Sequence, residues 1–71
     1  MWNIVKYVNG EEVEDYGVIQ AASIRQLIKK IEQRFGTSNL KYEKWDHMKY
    51  PTYTIYVDSN ETTFLVASKY N

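Results

Sequence analysis

One amphipathic stretch, Ser23 to Gly36, constrains the fold of this chain more than any other. Ile24, Leu27, Ile28, Ile31 and Phe35 recur at helical spacing and form a single apolar stripe. Ser23 offers a side-chain oxygen to the open N–H groups of the first turn, and Gln26, three residues on, completes a capping box. Gly36 supplies a left-handed stop, with Arg34 well placed in the last turn. Everything on either side reads as paired strands. The expected fold is α+β: a two-layer sandwich, one helix packed on an antiparallel sheet, in the order β-β-α-β-β-β. Residues 1–71 form one domain without internal repeats or low-complexity tracts.

The first two strands are expected at Trp2–Val8 and Val13–Ile19, joined around Asn9-Gly10-Glu11-Glu12. Asn-Gly favours a two-residue turn. A four-residue loop is preferred here because it pairs Val8 with Val13, Lys6 with Asp15, Val5 with Tyr16 and Trp2 with Ile19. The tight turn would set Ile4 against Asp15, and cross-strand pairs of matched polarity stabilise a sheet better. After the helix, Leu40–Trp45 is extended and Asp46–Thr52 is a loop, since Tyr50-Pro51 disfavours helix. Tyr53–Val57 and Thr62–Lys69 form a second hairpin around Asp58-Ser59-Asn60-Glu61, pairing Val57 with Thr62, Ile55 with Phe64 and Tyr53 with Val66.

These registers assign two faces. Trp2, Ile4, Val8, Val13, Ile19, Tyr53, Ile55, Val57, Phe64 and Val66 are expected beneath the helix, with Gly17 letting it approach closely. Val5, Tyr7, Tyr16, Val18, Tyr56 and Leu65 then lie on the other face, with Thr52, Thr54 and Thr63 among them. One helix covers one face only.

A chain of 71 residues without cysteine has no disulfide or thiolate metal site to staple it, and one histidine excludes a multi-histidine site within a chain. Seven Tyr, two Trp and two Phe supply the burial instead. Neither a signal peptide nor a membrane span is expected, and the lack of cysteine fits a cytoplasmic protein. Charge is balanced overall but not along the chain. Residues 1–23 carry Lys6 against Glu11, Glu12, Glu14 and Asp15, whereas residues 24–50 carry seven cations against three acids.

Reactive constellations do not emerge. His47 beside Asp46 would meet it only in a loop, because neighbours on an extended chain point apart. The acids from Glu11 to Asp15 follow no cation-loop spacing, and the glycines are too scattered to cradle phosphates. The expectation is a non-enzymatic protein with no cofactor and no metal. It would act as an adaptor or inhibitor, binding another protein through Tyr7, Tyr16, Tyr56 and Leu65, with Glu11, Glu12, Glu14 and Asp15 steering it towards a basic partner. Homodimerisation through the bare face is a second expectation, motivated by small size. A phage- or plasmid-encoded accessory protein is compatible with the length. The alternative is nucleic-acid binding through Arg25, Lys29, Lys30, Arg34, Lys41, Lys44 and Trp45, where cations and aromatics interleave. Glu32, Glu43 and Asp46 interrupt that set, and neutral net charge disfavours it.

Overall fold

The computed structural model describes residues 1–58 and 61–69. The elements follow the expected order: β1 Trp2–Val8, β2 Glu11–Ile19, α1 Ile24–Phe35, β3 Lys41–Lys44, β4 Thr52–Tyr56 and β5 Thr63–Lys69. All strand pairs are antiparallel, and the five strands lie in the order β2-β1-β5-β4-β3. The chain leaves one edge strand, β2, and re-enters the sheet at the other, β3. A twelve-residue helix is about 18 Å long, close to the roughly 19 Å across four inter-strand spacings.

Ser23 and Gly36 cap the helix as expected, and the Gln26 side chain returns one residue further back than a capping box requires, to Ala22 in place of Ser23. Ser23 Oγ accepts from Gln26 N–H at 3.3 Å, and Gln26 Oε1 reaches back to Ala22 N–H at 2.6 Å. Gly36 closes the helix at φ 67°, its N–H bonded to the Glu32 carbonyl. Leu27, Ile28 and Ile31 are buried against Trp2, Ile4, Ala21, Ile55, Leu65 and Ala67. Trp2 pays no penalty for its indole N–H, which donates to the Ala21 carbonyl at 3.2 Å.

Both expected hairpin registers need correction. The first turn is the tight one: Asn9 (φ 53°) and Gly10 (φ 80°) both have positive φ, as a type I′ turn requires. Val8 accordingly faces Glu11, not Val13. Two irregularities then shift the register, one between Lys6 and Tyr7 and one between Ile4 and Val5, so that Trp2 still pairs with Ile19. The bulges reconcile a turn matched to strand twist with pairs of matched polarity further along. Asp15 is moved from Ile4 to Val5, and Glu14 comes to face Lys6. Val13, expected in the core, is 53% exposed.

The second hairpin slips by one residue: Ile55 pairs with Leu65, Tyr53 with Ala67 and Tyr56 with Phe64. Ser59 and Asn60 of its expected turn lie outside the described residues. Because side chains alternate, the slip turns over all of β5. Leu65 and Ala67 are fully buried beneath α1, while Phe64 and Val66 move from the expected core to the opposite face. Both phases of β5 are apolar, so burial alone does not choose between them. The chosen phase puts small Ala67 opposite Ile4 under the helix and sets Phe64 beside Tyr7. Gly17 is also reassigned. A Cβ there would meet nothing within 4 Å, so its role is not close approach of the helix but a φ of 78°. Asp15 Oδ1 accepts from its N–H at 2.7 Å, holding that bend.

Candidate functional site

The face away from α1 can be read directly from the register as rows running across the strands. Glu12, Tyr7, Phe64, Tyr56 and Lys41 form one row from β2 to β3. Asp15, Val5, Val66, Thr54 and Glu43 form the next, and Val18, Asn3, Ser68 and Thr52 a third. The three rings of the first row touch in sequence. Tyr7 and Phe64 have centroids 5.4 Å apart, and Phe64 and Tyr56 are 6.4 Å apart at 60°. Each ring shields its neighbours, leaving all three half-buried. Cross-strand aromatic and β-branched pairs of this kind stiffen a sheet as well as presenting apolar area.

Trp45 extends this surface. Its Nε1–H donates to Thr54 Oγ1 at 2.7 Å, which ties the indole to the same face, yet the side chain is 42% exposed. The adjoining segment closes onto the sheet: Trp45 N–H bonds the Thr52 carbonyl, and Lys69 N–H bonds the Pro51 carbonyl, each at 2.8 Å. Thr52 is buried beneath it, its hydroxyl donating to the Tyr50 carbonyl.

The rim of the face is acidic. Glu12 and Asp15 stand on the β2 edge and Glu43 on the β3 edge, against Lys41 alone. The Tyr56 hydroxyl records that rim. Desolvation, then the charges of Glu43 and Glu61 and a hydrogen bond with Glu43, raise its pKa above the usual phenol value.

Of the four apolar residues expected to form the contact surface, Tyr7 and Tyr56 are on this face. Tyr16 and Leu65 are not. The bulge turns Tyr16 towards the helix, where its ring meets Phe35 edge-on at 5.6 Å and the Arg34 guanidinium lies 4.8 Å from its centroid. Leu65 is wholly enclosed in the core. The acidic tip also divides, Glu12 and Asp15 standing opposite open-face residues and Glu11 and Glu14 opposite Val8 and Lys6 on the helix side. Phe64 and Val66 were missed through the one-residue slip. Their signal was the aromatic partner available on β1, since only one phase of β5 lets Phe64 stack on Tyr7.

The basic set does not form one surface. Arg25, Lys29, Lys30 and Arg34 are exposed on α1, and Lys44 faces Tyr53 on that same side. Lys41 and Trp45 belong to the opposite side. Lys30 Nζ donates to the Gln20 carbonyl and Arg34 is engaged on Tyr16, so both have local structural work. His47 and Asp46 are exposed in the loop, His47 with a φ of 60°. Among the described residues no three His, Cys, Asp or Glu side chains come together as a metal-holding group, and no helix is long and apolar enough to cross a membrane. Compared with known proteins, the chain matches no family model, no curated protein and no solved structure.

Proposed function

We propose that this domain is a non-enzymatic binding module that docks another protein on the sheet face opposite its helix, in the manner of an adaptor or inhibitor. The observation that carries the reading is the connected row Tyr7–Phe64–Tyr56, with Val5 and Val66 alongside and Trp45 at its border. Aromatic side chains with polar tips are the residues most enriched in the energetic centres of protein interfaces. Their packing against one another leaves little conformational freedom to lose on binding. A cysteine-free chain gains nothing from an oxidising compartment, and we place its activity in the cytoplasm.

The division of the basic residues between both sides of the sandwich favours this reading over nucleic-acid binding. The face that offers stacking rings has an acidic rim, which repels phosphate. Capture from the native cell extract tests the proposal, comparing the wild-type domain with Tyr7→Ser/Tyr56→Ser. A partner retained by the first and lost by a still-folded second is the expected outcome. Equal capture by both removes the face from consideration. A salt titration against single-stranded and duplex nucleic acids belongs beside it, and tight binding at low salt would favour the alternative.

A further inference from the structure

The proposed docking face has a charge pattern that selects among partners. Its apolar centre runs the width of the sheet, with Glu12 and Asp15 at the β2 edge and Glu43 beside Lys41 at the β3 edge. Glu61 adds its charge near Tyr56. Lys41 is the one cation in these rows. The helix side has the reverse character, with Arg25, Lys29, Lys30 and Arg34 along α1 and Lys69 against the Trp2 ring. Resting on the reading above, we infer that the occupant of the face is an amphipathic helix of another protein that has an apolar stripe and a net positive charge.

Three considerations converge on that occupant. First, one helix, α1, already packs on this sheet, and the opposite face has the same width. A helix of about 13 residues spans it. Second, the rows carry three carboxylates against one lysine, and a net-negative face complements a cationic helix and rejects an anionic one. Third, a second copy of this chain is disfavoured. Face-to-face apposition would bring together six of these row carboxylates and two lysines, whatever the rotation of one copy on the other. The edges are unattractive for strand addition: β3 has four residues, Lys-Tyr-Glu-Lys, and β2 is bulged and acidic.

The experiment uses two synthetic peptides of about 14 residues with an identical leucine stripe, one with lysines on its polar face and one with glutamates, about 21 Å long as helices. Amide chemical shifts of the labelled full chain report where each lands. The expected result is saturable movement of Tyr7, Phe64, Val66 and Tyr56 signals with the lysine peptide and none with the glutamate peptide. Glu12→Gln/Asp15→Asn/Glu43→Gln keeps the side-chain shapes and weakens the lysine peptide about tenfold, the scale of three rim ion pairs. A proline placed mid-peptide abolishes the effect if the bound form is helical. Equal binding of both peptides at the face overturns the charge selection and leaves the docking reading intact. Shifts confined to α1, or none with either peptide, overturn the inference. So does sedimentation of the free chain as a dimer that protects the same signals, which would assign the face to a second copy. The docking reading itself falls if capture is indifferent to Tyr7→Ser/Tyr56→Ser or if such a dimer covers the face.

Discussion

Tyr7 and Phe64 stack across the β1–β5 pair with their ring planes 5° from parallel. Their contact exists only because β5 is held in the phase that turns the next residue, Leu65, under the helix. Adjacent residues therefore have opposite consequences. Leu65→Ala opens a cavity in a fully buried site and should cost about 2–5 kcal/mol, enough to unfold much of a domain this small. Phe64→Ala removes a half-buried ring and its stack, worth about 0.5–1.5 kcal/mol beyond lost area, and leaves a folded protein. Urea melts of the two variants check the order, and a reversed order would mean that the faces are exchanged.

The parts of this fold that were legible in sequence are those fixed by local chemistry. Ser23, Gln26 and Gly36 bound the helix through their own hydrogen bonds and backbone angles, and no distant contact is needed to read them. Register is a different kind of information. In β5 the sequence Phe64-Leu65-Val66-Ala67 is apolar in both phases, and what selects one is the shape of Ile4 and the ring of Tyr7 on another strand. In β2 the conflict between an Asn-Gly turn and matched pairing was real. It is relieved by bulges at positions that alternation alone does not reveal, though Gly17 was a visible hint. The candidate site inherited these errors, keeping Tyr7 and Tyr56, losing Tyr16 and Leu65, and acquiring Phe64 and Val66.

Gly17 tests the bulge. A methyl group there meets no atom within 4 Å, so any cost of substitution is conformational, from a φ of 78°. Gly17→Ala should destabilise by about 1–2 kcal/mol. A synthetic chain with D-alanine at the position should match or exceed the wild type, because the D residue favours that φ and has fewer unfolded conformations. Equal losses for both enantiomers would point to crowding by the helix instead.

Two groups at the far end of the β4–β5 hairpin give stability opposite pH limits. Tyr56 has its pKa raised above 10.0 by desolvation and by Glu43 and Glu61. Its contribution is present below the unfolded value and disappears as pH climbs through the higher folded value. Asp58 is desolvated, which raises its pKa, but hydrogen bonds from the Thr62 hydroxyl and from Thr63 prevail and hold it below 3.8. Its contribution is present above the unfolded value and disappears as pH falls through the lower folded one. Glu43→Gln should therefore bring the Tyr56 absorbance titration down towards 10.0, and Asp58→Asn should flatten the acid limb of the stability profile.

The two tryptophans provide a readout of the proposed docking face without any label. Trp2 is 2% exposed and bonded to Ala21, whereas Trp45 is 42% exposed and bonded to Thr54 on the open side. Acrylamide should quench the folded protein in two components, and Trp45→Phe should abolish the accessible one while leaving the protected one. Loss of the Thr54 hydrogen bond is worth about 0.5–1.5 kcal/mol, so Trp45→Phe remains folded. A ligand seated on Tyr7, Phe64 and Tyr56 should bury the Trp45 indole and slow its quenching. A ligand that leaves that accessible component unchanged sits elsewhere on the domain.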